Sequence, residues 1–279
     1  MNKFKELTLL LAILTVAACS GSGGGNGNNS RNPVAPEPPS APAEPAARTW
    51  NEEVLHAIRN DYARPTVHAR NLFHTSAAMY DAWAAYSDTA STYLLGKTVS
   101  GFNCGLNNFL RPNNIEGARA QAMSHAVYQI MLHRFRNSPG AVTIRTEIEL
   151  KMQELGYDFA NESLAYEGGS AAALGNYIAD CYIRYGQQDA SNETFDYANT
   201  SYAPVNPPVW MELPGNPDII NLDRWQPIRV EVFVDQAGNT VDVREPEFLS
   251  PEWGQVPPFA LQEADRTIYQ RDGFDYWVY

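Results

Sequence analysis

Between Arg64 and Tyr86 the chain runs "RPTVHARNLFHTSAAMYDAWAAY", setting two histidines, two arginines, an asparagine and an aspartate among alanines and aromatics. An imidazole beside a carboxylate could do proton chemistry, and arginines could hold an anion. If this stretch held a site, Arg64, His68, Arg70 and His74 would form it. Its internal spacing argues against one. On a helical wheel Asn71, His74 and Asp81 share a sector while His68 lies elsewhere. His74 and Asp81 stand two turns apart, about 10 Å of rise, so they cannot bond directly along a straight helix. A His–carboxylate pair must therefore be completed by another element. The expected role of His74 is that of a satisfied structural histidine, with Arg64 and Arg70 paired to some of the many carboxylates.

Other chemistries lack their residues. His125, Gln129 and His133 share a helical face, but no HExxH occurs and glutamine is a poor zinc ligand. No Gly-x-Ser-x-Gly elbow, P-loop or dinucleotide glycine fingerprint is found, and no cysteine has a neighbouring base. The sequence thus assigns no catalytic, cofactor-binding or metal residue. A formal net charge of −12 over 279 residues, without a basic patch, excludes a nucleic-acid partner.

The elements that must position these residues are mostly helical. Apolar periodicity predicts helices over residues 50–62, 65–86, 115–135, 141–156 and 168–186. Gly156 is placed as a C-cap and Gly186 as a stop. The segment 91–114 reads as loop. Residues 189–225, dense in Asn, Pro and Tyr without a period, read as an ordered loop covering something. Alternation around a Gly-Asn turn in 228–245 predicts a two-stranded hairpin, and a Pro-rich loop with a short helix closes the chain. The expected fold class is mainly α: a helical bundle with one β-hairpin and long ordered loops.

The N-terminus carries a separate message. "MNKFKELTLLLAILTVAACS" has a basic start and a twelve-residue apolar run from Leu7 to Ala18. That is too short to span a bilayer and is the pattern of a signal peptide. Val16-Ala17-Ala18-Cys19 resembles a lipobox, so residues 1–18 are expected to be removed and Cys19 to carry lipid. Ser20 after the cysteine resembles the Gram-negative pattern for sorting to the outer membrane. Residues 19–48, Gly/Asn-rich and then Pro/Ala-rich, are expected to be a disordered tether, and residues 49–279 the folded domain. Cys104 and Cys181 remain. In an oxidising compartment two readings stay open, a disulfide between them or two unpaired, half-buried thiols.

Four blocks occur in the order of one known family: "ARPTVHARNLFHTSAAMYDAWAAY", "GQQDASNETFDYANTSYAPVNPP", "DRWQPI" and "FLSPEWGQVPPFAL". Together they resemble the N-terminal half of bacterial vanadium-dependent haloperoxidase-related proteins, of the phosphatidic acid phosphatase type 2/haloperoxidase superfamily. The resemblance implies helical bundles, vanadate or phosphate as the bound oxyanion, and peroxide-driven halide oxidation or acid phosphatase activity. It also implies a site on the second half of the chain, marked by Lys-x6-Arg-Pro, Ser-Gly-His and a later Arg-His. Here the Arg-Pro pairs are Arg64-Pro65 and Arg111-Pro112, with Ala57 and Cys104 where the lysine belongs, and Ser-Gly-His is absent. No family site residue carries over. The vanadate site is expected beyond Tyr279, on a catalytic half that would be this domain's partner, and this chain alone is expected to be inactive. The alternative is a non-enzymatic, lipid-anchored helical interaction module.

The lipobox predicts a diacylglyceryl adduct on Cys19, measurable by mass spectrometry of the exported protein, and loss of membrane attachment in Cys19→Ala. A membrane-bound Cys19→Ala protein contradicts it.

Overall fold

Local signals set the helix ends in the computed structural model, which describes residues 33–278 apart from 216, 235–237 and 242–244. The signal peptide, Cys19 and the tether as far as residue 32 lie outside the described residues. Five α-helices are present among those described: α1 (Ala46–Arg59), α2 (Pro65–Ala84), α3 (Ile115–Arg134), α4 (Ala141–Glu154) and α5 (Ala171–Gly186). Pro65 opens α2, where its missing N–H costs nothing. The side chain of Asn114 caps α3 by accepting from Gly117 N at 3.0 Å, and Ser170 caps α5 by accepting from Ala173 N at 3.2 Å. Gly156 follows α4 with φ +76°, a left-handed position that favours glycine.

The helices bury two apolar clusters. In the first, Ala78 and Ala82 of α2, Ala122 and Ile130 of α3, and Leu174, Ile178 and Tyr182 of α5 pack together. In the second, Trp50 and Val54 of α1 meet Val127 and Met131 of α3 and Ile148 and Met152 of α4. Helix α3 therefore serves both. Its fit against α5 is close: a β-carbon on Gly175 would stand 2.3 Å from Ala122 O. Trp50 is fully buried and its Nε1–H donates to Ser124 Oγ at 2.8 Å, joining α1 to α3.

Small strands decorate this bundle, and three of their pairings depart from the sequence reading. Segment 91–114 contains a hairpin, β1 (Lys97–Val99) with β2 (Phe102–Cys104), turning on Ser100 and Gly101, both at positive φ. Among the described residues of 228–245, the hairpin pairs β5 (Phe233–Val234) with β6 (Thr240–Val241). Ile228–Arg229, β4, instead pairs in parallel with β3, Val209–Trp210. The expected C-terminal helix is replaced by a hairpin, β7 (Thr267–Arg271) with β8 (Phe274–Val278), after a single 3-10 turn. Asp272-Gly273, both at positive φ, supplies the two-residue turn that β-hairpins favour.

The boundary of the folded part also moves. The sequence places it at residue 49, yet α1 starts at Ala46, and Ala35, Glu37 and Pro39 before it contact the bundle. Glu37 accepts from the backbone N–H groups of Asn113 (2.9 Å) and Asn114 (3.0 Å), and Ala35 is buried. A carboxylate at the start of α3 meets free N–H donors there, which offsets ordering entropy that composition alone suggests would win. Cys104 and Cys181 form a disulfide, tying β2 to α5. No helix among the described residues is long and apolar enough to cross a membrane.

Candidate functional site

Asp81 separates from His74 at once. Its buried carboxylate accepts from the backbone N–H of Tyr93 (2.5 Å), Leu94 (3.0 Å) and Leu95 (2.9 Å) and from Tyr182 Oη (3.0 Å). It holds the entrance to the β1–β2 hairpin and takes no part in a histidine dyad.

His74 finds its partners on other elements. Arg134, at the end of α3, donates from Nη1 to Asn71 Oδ1 (3.0 Å) and from Nη2 to His74 Nδ1 (2.9 Å). Because guanidinium only donates, His74 Nδ1 must present its lone pair, and the ring proton resides on Nε2. Arg70 donates from Nε to Asp189 Oδ2 (2.7 Å) and from Nη2 to Gly186 O (2.9 Å) and Glu193 Oε2 (2.8 Å). Arg134 Nε lies 3.0 Å from Glu193 Oε1, an ion contact without hydrogen-bond alignment. His133 Nε2 completes the set by donating to Glu193 Oε1 at 2.8 Å. The cluster is interior: the side chains of Arg70, Asp189 and Glu193 are 3%, 0% and 3% exposed.

Two arginines face two carboxylates, so the formal charge closes. Burial pushes the Glu193 carboxyl up, but the His133 hydrogen bond and the Arg134 and Arg70 guanidiniums outweigh it and hold the group at about 2. Burial, then Arg134 and Arg70, lowers His74 well below the ordinary imidazole range, so it is neutral. Its acceptor nitrogen is occupied by Arg134, which rules out general-base work in this conformation. What His74 can offer is the Nε2–H donor, 3.9 Å from Asp189 Oδ2.

The other sequence candidates fall outside. Arg64 Nη1 donates to Asp196 O and Oδ1, both at 3.2 Å, and its guanidinium stacks over the rings of Tyr62 and Tyr197. His68 Nε2 donates to Tyr62 O at 2.8 Å. His125 lies in the core with neither ring nitrogen bonded, away from His133. No group of three or more His, Cys, Asp or Glu among the described residues could hold a metal. The sequence reading missed Arg134, Asp189 and Glu193. The one signal was the aperiodic stretch after α5, dense in Asn, Pro and Tyr and expected to cover something; it covers Arg70 and His74.

The four blocks quoted above contact one another. Thr66 of the first bonds Ser250 of the fourth at 2.6 Å, and Trp253 Nε1–H donates to Ser191 O of the second at 2.9 Å. Glu252 Oε1 accepts from Thr200 N, Thr200 Oγ1 and Ser201 Oγ, each at 3.0 Å. Trp225 of the third block packs with Tyr202 and Phe248.

No family model and no curated protein matches the chain. Among solved structures, the crystal structure of an apo-type bacterial vanadium-dependent chloroperoxidase is similar at 19% identity and a TM-score of 0.47. The match covers 80% of this chain and 42% of that one, so the chain spans less than half the length of that protein.

The buried groups set an acid limit on stability. His74 and His125 (the latter pushed down to about 4, chiefly by burial) stay neutral when folded and protonate when unfolded. Their contribution is complete above the unfolded value of 6.5 and is lost as pH falls below it. Glu193 acts lower: its contribution is lost from 4.5 down towards about 2. Urea unfolding at pH 7.5 and 5.0 should show lower stability at 5.0, by up to about 1.4 kcal/mol per pH unit for each histidine below its unfolded pKa. His125→Leu should flatten that slope. An unchanged slope in this variant contradicts the assignment.

Proposed function

We propose that this chain is the scaffold-forming, N-terminal helical half of an exported, lipid-anchored protein of the vanadium-dependent haloperoxidase kind, and that it holds no oxyanion site of its own. The observation that carries this reading is the charge closure where the first and second family-like blocks meet, under the fourth. A vanadate or phosphate pocket needs Arg or Lys donors in excess over carboxylates, aimed at an open position. Here Arg70 is committed to Asp189, Glu193 and Gly186 O, and Arg134 to Asn71, His74 and Glu193. The cluster therefore reads as a lock between α2, α3 and the segment after α5. Exposed apolar side chains on the C-terminal third, among them Met211, Leu213, Ile220, Leu222 and Val232, suit a surface that packs against a catalytic half. Lipid on Cys19 would place the assembly at the outer membrane, and vanadate would be held by that other half.

Equilibrium dialysis of the purified chain against orthovanadate at moderate salt tests the proposal. Each missing charge-assisted bond is worth about 1.5–3 kcal/mol, so micromolar binding is forfeited and no retention is expected. Stoichiometric retention of vanadate overturns it and makes Arg70 and Arg134 the first suspects.

A further inference from the structure

A cavity of about 290 Å³ opens beside the ion cluster, and neither the family resemblance nor the scaffold role accounts for it. Arg70, His74 and Asp189 lie at its polar end, and Phe73, Trp253 and Val256 supply apolar walls. The polar end is specific. Arg134 holds the His74 lone pair on Nδ1, so Nε2–H faces outward as a donor with no partner nearer than Asp189 Oδ2 at 3.9 Å. His74 itself is 2% exposed. A buried donor and a buried carboxylate oxygen at this separation leave room for one oxygen atom within hydrogen-bond reach of both.

The geometry points to a binding site for a small neutral alcohol, its hydroxyl bridging His74 Nε2–H and Asp189 Oδ2 and its single apolar ring filling the space between Phe73, Trp253 and Val256. Only a hydroxyl meets both demands from one atom, accepting from His74 and donating to Asp189. A carboxylate in the same place would face Asp189 across a water-poor gap, and the Arg70 Nε and Nη2 donors are taken by Asp189, Glu193 and Gly186 O, with Nη1 turned to Tyr197 Oη. An ammonium would satisfy Asp189 but would set its own N–H groups against His74 Nε2–H. A hydrocarbon would leave the His74 Nε2–H donor without a partner, and a volume of about 290 Å³ fits one ring rather than an extended chain. The inference rests on the packing of α2, α5 and residues 253–257 and is independent of lipidation and of any catalytic half.

Isothermal titration of the full chain with benzyl alcohol, toluene and benzoate tests it. Benzyl alcohol should bind saturably at about millimolar concentration, about tenfold more tightly than toluene, with benzoate weaker still. Val256→Trp fills the cavity from the covering loop without touching the ion cluster, and should abolish binding while leaving the circular dichroism unchanged. A readout that needs no variant is the nitrogen NMR spectrum of labelled histidine, in which benzyl alcohol should shift the His74 Nε2 resonance and leave His56 still. Absence of saturable binding, toluene or benzoate matching benzyl alcohol, undiminished binding by folded Val256→Trp, or an unmoved His74 signal each overturns the proposal.

Discussion

Two guanidinium groups, Arg70 and Arg134, lie in the interior of a strongly acidic protein, and the structure around them is arranged so that neither charge stands alone. Removing a charge from water costs several kcal/mol, and attraction in the interior offsets this only with good geometry and satisfied hydrogen bonds. Asp189 and Glu193 supply the opposite charge, and Asn71, His74, Gly186 O and Tyr197 take up most of the remaining guanidinium donors. The consequence is conformational. With Arg70 and Arg134 buried on α2 and α3, the chain after α5 returns to them and supplies the carboxylates of Asp189 and Glu193.

That requirement explains order where the sequence has no period. Residues 187–208 form almost no regular structure, yet Asp189, Ser191, Glu193 and Asn206 are buried. Each is fixed by polar bonds rather than by an apolar face. Ser191 N donates to Asp189 Oδ1 at 3.0 Å, and Ser191 O receives Trp253, so the covering segment 250–257 is secured by the same residues that neutralise Arg70. On the opposite side, Asp81 and the Cys104–Cys181 disulfide fix the β1–β2 hairpin to α2 and α5. Helix α2 is thereby held at both ends by polar contacts, while its middle packs on alanine.

The helices were legible because a 3.6-residue period and caps are local properties: Ser170 opens α5 and Gly186 closes it within the stretch that carries the repeat. The hairpin at Asp272-Gly273 is written just as locally, in a two-residue turn flanked by alternation, behind a Pro-rich run that carries no strand signal. The site was half legible. Arg70, Asn71 and His74 stand out on one helix, and the sequence requires a carboxylate from elsewhere. Which carboxylate is a long-range fact: Asp189 and Glu193 are 119 and 123 residues from Arg70, and no spacing rule selects them from an acidic chain. Arg134, in the last turn of α3, looks in sequence like a cation at a helix C-terminus.

If the buried ion cluster is what orders the covering segments, Arg70 and Asp189 must be energetically coupled and not merely adjacent. A double-mutant cycle with Arg70→Met and Asp189→Asn, read by urea unfolding at pH 7.5, measures that coupling directly. Each single change should cost about 3–5 kcal/mol, because it leaves the other charge buried and unpaired. The double variant should lose well under the sum, with a coupling energy of about 2 kcal/mol or more. Additivity to within about 0.5 kcal/mol would mean the two charges are satisfied independently, and would contradict the account.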